Sequence, residues 1–342
     1  MSRLSDNHPP QAVASANQTV TIIEAITLAL AWELEHDPSV LLLGEDIGVN
    51  GGVFRATNGL QQRFGSERVM DTPLDETTIA GVSIGLATQG MKPVAEVQFD
   101  GFVFPMLDQL ICHAARLRNR TRSRLHCPLV VRIPWGGGIR APEHHGEAIE
   151  SQFTNVPGMR VVFPSSPQRA YGLLLAAIRD PDPVIFMEPK RLYRHQKEAV
   201  NDDGEALPLD VCFVLRAGTD VTLIAWGAQI REALEAAAQL EQQGISAEVI
   251  DVVTLCPLDD ETIAESVART GRCVIIQEAP RTAGFAAEIA ARIAERSLFH
   301  LLAPIERVTG YDTHVPLFRL ENHYLPSTDR IVAAAQRTLR YR

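Results

Sequence analysis

The chain has no glycine-rich phosphate loop and no Gly-Asp-Gly metal signature anywhere in its 342 residues. The nearest approach, the glycine triplet at 136–138, lacks the lysine and the tight helix start with which such loops cradle phosphate. Basic charge is also short. Lysine and arginine number 32 against 42 aspartates and glutamates, a net charge of −10. A global polyanion does not track a phosphate backbone, so nucleic acid is excluded as the expected ligand. No uninterrupted apolar run approaches the ~20 residues of a membrane-spanning helix. Cysteine is sparse and scattered, as Cys112, Cys127, Cys212, Cys256 and Cys273, with no CxxC pair. Zinc and dithiol chemistry therefore have little support, and the set reads as buried free thiols in a reducing compartment. Internal repeats and low-complexity tracts are absent.

What is present suits a globular protein. Apolar residues make up 46% of a chain long enough for two domains. Residues 1–18 are polar, include Pro9 and Pro10, and carry neither a secretory apolar core nor an Arg-rich transit pattern. They read as a flexible tail on a cytoplasmic protein. Order is expected from about Thr19. Thr21-x-x-Glu24 has the form of a capping box before helically spaced Ile22, Ile23, Ile26, Ala29 and Leu30. The run 40–43 before Gly44 reads as a buried strand.

The same rhythm then repeats. A helix at 75–89 leads to a strand at 93–97, and a helix at 103–118 leads to a strand at 129–133. Ser166-Pro167 opens a helix running to Asp180, ahead of a strand at 184–187. Residues 195–208 form the best linker candidate. Beyond them come strands at 221–225, 247–252 and 273–277, with helices at 232–242, 260–270 and 286–296. This alternation predicts an α/β fold of two doubly wound, mostly parallel sheet domains, over residues 19–200 and 201–342.

In such sheets ligands sit at the carboxyl ends of strands. Polar clusters fall there: Glu45-Asp46 after Gly44, Glu96-Val97-Gln98, and the glycine-rich loop 134–151 with His144 and His145. Loops of that length often carry function. Residues 71–81 (DTPLDETTIAG) place Glu76 at a helix start. Taken alone, Asp75 and Glu76 read first as groups favouring the positive end of the helix. Glu45-Asp46 also reads as a solvated turn, and paired loop histidines as surface groups. The run Arg116, Arg118, Arg120, Arg122 and Arg124 alternates by two, so it shares no helical face and reads as a solvated helix end and loop. An acidic partner surface is the minority reading.

Taken together, five segments carry a resemblance. They are GEDIG (44–48), DTPLDETTIAG (71–81), the loop 134–151, EPKRLYR (188–194) and DVVTLCPLD (251–259), in order and in register. The chain resembles the beta subunit of the thiamine-diphosphate-dependent decarboxylase component of 2-oxoacid dehydrogenase complexes, from about Thr19 to the C-terminus. The resemblance implies a transketolase-like pyrimidine-binding domain followed by a transketolase C-terminal domain. It also accounts for the missing cradle. In that family the alpha subunit holds magnesium and the diphosphate, and the cofactor lies between chains of an alpha2-beta2 heterotetramer. A lipoyl-bearing dihydrolipoyl acyltransferase then takes the acyl group.

Roles follow from matching positions. Glu76 aligns with the glutamate that bonds the pyrimidine ring, with Leu74, Gln98 and Phe102 around that ring. Phe102 is often tyrosine in relatives. Glu45 matches an acidic residue in the channel between the two active sites. His145 aligns with the histidine implicated in acyl transfer to lipoamide, with His144 as competitor, since Gly146 and Ile149 depart from the family's loop pattern. Asp180 and Asp182 match a structural potassium site in some relatives, and read equally as a helix terminus. The stretches 188–194 and 96–109 (EVQFDGFVFPMLDQ) look more like branched-chain enzymes. Pyruvate or acetoin is the runner-up substrate. A non-catalytic scaffold subunit and a self-sufficient transketolase-like enzyme are the rival classes.

Overall fold

The computed structural model describes residues 17–341. Its strands are β1 (Asn17–Val20), β2 (Val40–Gly44), β3 (Val69–Asp71), β4 (Lys92–Glu96), β5 (Val130–Trp135), β6 (Arg160–Val162) and β7 (Val184–Pro189). Further along come β8 (Glu198–Asn201), β9 (Phe213–Arg216), β10 (Val221–Ala225), β11 (Ala247–Asp251), β12 (Thr254–Cys256), β13 (Cys273–Ile276) and β14 (Glu306–Val308). They form a seven-stranded sheet ordered β12-β6-β7-β5-β4-β2-β3 and a five-stranded sheet ordered β14-β13-β10-β11-β9. Only the pairs β12–β6 and β11–β9 are antiparallel within these sheets. Strands β2, β5, β7, β10, β11 and β13 are buried along their whole length, as expected of parallel strands covered on both faces. Among the described residues no helix is long and apolar enough to cross a membrane.

Local chemistry explains the elements that matter for the site. Thr21 caps the helix Ile22–His36 with its hydroxyl while the Glu24 carboxylate returns to the Thr21 N–H at 2.8 Å, the reciprocal capping box. Asp75 caps the helix Glu76–Thr88 by accepting from the Thr77 N–H at 3.1 Å. Ile79, Ala80, Ser83 and Ala87 bury one face of that helix. Gly90, at φ 89°, takes the left-handed turn that ends it.

Several expectations need correction. Residues 1–16 of the expected tail lie outside the described residues, but Asn17 and Gln18 belong to β1, which pairs antiparallel with β8. Strand β8 itself falls inside the expected linker. The helix expected over 103–118 is broken into short pieces: 3-10 turns at Asp100–Phe102 and Phe104–Met106, a turn at Leu107–Gln109, a π turn at Leu110–Ala114 and a helix at Leu117–Arg120. Pro105 lacks the N–H needed to continue a helix and disfavours helical geometry at Phe104. The helix expected from 232 begins earlier, at Gln229. Of the cysteines, Cys127 and Cys273 are buried, Cys212 and Cys256 are half-buried and Cys112 is exposed; all are free thiols.

Candidate active site

The carboxyl ends of β2, β3 and β4 lie side by side, with Gly44 paired to both Asp71 and Glu96. The turn after β2 is tied to β3 by the Gly48 N–H donating to Asp71 Oδ1 at 2.6 Å. This arrangement leaves Glu45 only 6% exposed, with its Oε1 unpartnered. Burial, and then the charges of Glu76, Asp46 and Asp75, push the Glu45 carboxyl up to about 7. The chain leaving β3 is held to β2 by the Thr72 N–H donating to the Gly44 carbonyl at 3.0 Å, and the helix Glu76–Thr88 packs against β2, which brings its start to the end of the sheet that carries Glu45. Glu76 is half-buried there, and Leu74 on the approach is 81% exposed. Gln98 lies two residues past the end of β4 and is half-buried. The structure thus brings Glu45, Glu76, Leu74 and Gln98 to one end of the sheet.

Phe102 and His145 meet beside them. The His145 ring packs against Phe102 at 5.0 Å, edge to face, and against Phe99 at 4.3 Å. His145 Nδ1 lies 2.8 Å from the Glu143 carbonyl oxygen. That oxygen only accepts, so Nδ1 carries the proton, and in the neutral ring Nε2 is the free acceptor. His144 differs. It is exposed, its φ is 65°, and its carbonyl is packed so closely on Gly101 that an added Cβ there would collide with it. Of the two histidines, His145 is the one directed at the aromatic wall.

Buried ion pairs underlie this wall. Arg132, on β5, donates to Glu96 at 2.7 Å and grips Glu188 through two bonds of 2.7 and 3.0 Å. Tyr193 adds a bond of 2.6 Å to Glu188. Lys190 and Asp100, both fully buried, pair at 2.9 Å. Asp100 also accepts from the Gly136 N–H at 2.7 Å and the Gly101 N–H at 3.0 Å, fixing Phe99 to the end of β5. The glycine triplet does not wait for a phosphate. The Gly137 N–H donates to Glu278, and the N–H groups of Gly138 and Arg140 donate to Glu321 at 2.8 and 2.9 Å.

Two sets of expected residues lie elsewhere. Asp180 and Asp182 precede β7, at the opposite end of the sheet. Asp180 contacts Arg160 at 3.1 Å and Asp182 contacts Arg118 at 2.7 Å. Asp180 also accepts from the Asp182 N–H at 2.8 Å, so both carboxylates serve the end of the helix Pro167–Arg179 and its arginine neighbours. Among the described residues no cluster of three or more metal-ligating side chains occurs. The arginine run serves the same end of the molecule. Beyond Arg118, Arg116 and Arg120 donate to the carbonyls of Ile111 and Cys112, and Arg124 to that of Thr121. Phe99, Asp100, Lys190, Glu278 and Glu321 were not singled out from sequence. Phe99 and Asp100 sit between Gln98 and Phe102, and Lys190 within EPKRLYR, so position gave a signal for them. Glu278 and Glu321 carry none.

The transketolase pyrimidine binding domain model matches residues 18–196, and the transketolase C-terminal domain model matches 212–331. The pyruvate dehydrogenase E1 component subunit beta of Acholeplasma laidlawii is 48% identical over 92% of this chain and 96% of its own length. The corresponding Bacillus subtilis protein is 45% identical over 94% of this chain and 99% of its own. The 3-methyl-2-oxobutanoate dehydrogenase subunit beta of Mycobacterium tuberculosis is 46% identical over 96% and 94%. The chain belongs to the family of E1 beta subunits of 2-oxoacid dehydrogenases. As an E1 beta subunit it has the transketolase-like two-domain fold. A split-gene transketolase, solved as an inactive beta4 tetramer, superposes with a TM-score of 0.73 at 24% identity, covering 95% of this chain and 99% of that one. Relatives named for pyruvate and for a branched-chain 2-oxoacid match this E1 beta subunit about equally. The branched-chain expectation therefore gains nothing over pyruvate from overall similarity.

Proposed function

We propose that this E1 beta subunit supplies the pyrimidine-side half of a thiamine-diphosphate site and works only with an alpha subunit, in an alpha2-beta2 heterotetramer. One observation carries the reading. The rim presents an unpartnered buried carboxylate oxygen on Glu45 beside Glu76, while the N–H donors of its only glycine triplet are already taken by carboxylates of the same chain. The residues fit a ring cofactor's nitrogens and not its phosphates, which falls to the partner together with magnesium. When bound, thiamine diphosphate supplies the electron sink that lets a 2-oxoacid lose carbon dioxide.

The chain's own groups then have distinct tasks. Glu76 holds a proton against a ring nitrogen, and a carboxylate both bonds and exchanges that proton. Leu74, Gln98 and Phe102 bound the ring. Glu45, close to neutral pH in its proton affinity, holds a second proton behind Glu76. His145, with Nδ1 tied to Glu143, keeps Nε2 to take and return a proton as the acyl group passes to a lipoyl thiol.

Exposed apolar surface beside the rim supports a partner chain there. Leu74 is 81% exposed, Val82 47% and Phe104 45%. Thr77 joins the helix Glu76–Thr88 to Pro105 at 3.1 Å, which keeps Phe104 near the start of that helix. Large apolar side chains left exposed beside a site are suited to a covering chain. Five free thiols support a reducing, cytoplasmic setting. For substrate, a branched-chain 2-oxoacid is the first reading, on residues 96–109 and 188–194; pyruvate is the second, on the relatives at 45–48% identity.

Co-expression with an alpha subunit tests all of this. The mixed enzyme is expected to turn over 2-oxoacids, with 2-oxoisovalerate ahead of pyruvate, and neither chain alone is expected to do so. Full turnover by the isolated beta chain would remove the half-site reading, whereas pyruvate ahead of 2-oxoisovalerate would overturn only the substrate order.

A further inference from the structure

The loop that ends at His145 is held from the far side of the chain. Glu278 lies two residues past the end of β13, and Glu321 opens the short helix Glu321–Tyr324. Both belong to the C-terminal half, and both are buried. Glu321 uses its two carboxylate oxygens separately, Oε1 for the Gly138 N–H and Oε2 for the Arg140 N–H. Glu278 takes the Gly137 N–H and is itself held by Gln229 Nε2 at 3.3 Å. Arg191 closes the frame. It grips Glu232 at 2.6 and 2.9 Å and passes so near the loop that a Cβ on Gly138 would stand 2.6 Å from its Cδ. Charge-assisted bonds to backbone N–H groups are short and directional, so they fix a loop's path more firmly than neutral ones.

Three consecutive glycines have no such path of their own. Gly136 and Gly138 adopt φ of 83° and 90°, a region that a free glycine chain samples among many. Downstream of this clamped segment the chain reaches His145 and sets its ring on Phe99 and Phe102. From this geometry we infer that Glu278 and Glu321 are positioning residues for acyl transfer: the C-terminal domain aims His145 by gripping the loop 137–140. The inference rests on the acyl-transfer role read above for His145. It gives the second domain a part in the reaction beyond assembly.

Glu321→Gln tests it in the reconstituted heterotetramer. Glutamine offers one acceptor oxygen where Glu321 uses two, so one loop bond is lost and an amide N–H₂ faces an N–H. Transfer to a lipoyl domain is expected to fall about tenfold or more, the scale of a misplaced reacting group. The loss should appear in kcat with KM for the lipoyl domain unchanged. Decarboxylation read with a small artificial electron acceptor should stay within about twofold. In a His145→Ala background, Glu321→Gln should cost nothing further, because residues acting through one group are non-additive. Equal loss in both assays, no loss in either, or losses that multiply in the double variant would each overturn the inference. Should Glu321→Gln fail to assemble, Glu278→Ala, which removes the acceptor of the Gly137 N–H, carries the same test from the other carboxylate. A parent enzyme inactive in both assays would instead count against the proposed function.

Discussion

Replacing Glu45 by glutamine should raise the stability of the protein, and only above acidic pH. Glu45 is buried against Glu76, Asp46 and Asp75, and its carboxyl is displaced from its ordinary 4.5 to about 7. At ~1.4 kcal/mol for each tenfold change in proton affinity, that is at most about 3.5 kcal/mol. The neighbouring Asp46 and Asp75 are exposed, so solvent screening reduces the usable part to about 1 to 2 kcal/mol. The sign follows from linkage. A carboxyl with raised folded-state affinity contributes stability in full below its unfolded value, and that contribution is lost as pH rises through about 7. Glu45→Gln keeps the shape without the charge and escapes the loss. A chain of this size shifts its midpoint by about 1.5 °C per kcal/mol. Thermal unfolding of the purified beta chain should thus place Glu45→Gln roughly 1.5 to 3 °C above the parent at pH 8. The gap should close at pH 4.5. A gap independent of pH, or one that widens toward acid, would refute the reasoning.

Two further perturbations probe what lies beneath the site. Arg132→Met leaves Glu96 and Glu188 buried without their shared cation, and urea unfolding should show a loss of about 3 to 5 kcal/mol; a loss below about 1 kcal/mol contradicts the assigned network. Gly101→Ala drives a methyl group into the His144 carbonyl and must displace the loop before His145. Transfer to the lipoyl domain should fall about tenfold or more while decarboxylation to an artificial acceptor survives; unchanged transfer would show that the His144–Gly101 contact does not set His145.

The parts of this molecule that were legible in sequence are those governed by neighbours along the chain. Thr21 and Glu24 declared a capping box three residues apart, and Asp75 announced the helix that presents Glu76. The buried runs of β2, β10 and β13 were apolar enough to read directly. Elements held by distant partners were not legible. Strand β12 is three residues long and gains its place only by pairing with β6 across the chain. Strand β8 looked like linker because its polar residues pair with β1 at an edge. The expected helix over 103–118 failed at Pro105, and the turn before it is held by Asp100, whose side chain is committed to Lys190 and Gly136. Within the site, Glu45, Gln98 and His145 followed from the ends of strands, while Leu74, Phe102 and the role of Glu76 followed only from the family resemblance. The clamp on the glycine triplet followed from neither, because Glu278 and Glu321 reach it from 141 and 183 positions away.

The most direct test of the half-site is 2-oxoacid decarboxylation by the heterotetramer carrying Glu76→Gln, with assembly followed by size-exclusion chromatography. Glutamine keeps a contact but cannot exchange the proton. The variant should assemble like the parent and lose turnover by a factor on the order of 10² or more. Near-normal turnover in an intact tetramer would contradict the assignment of Glu76 and, with it, the reading of this rim as the proton-holding half of the active site.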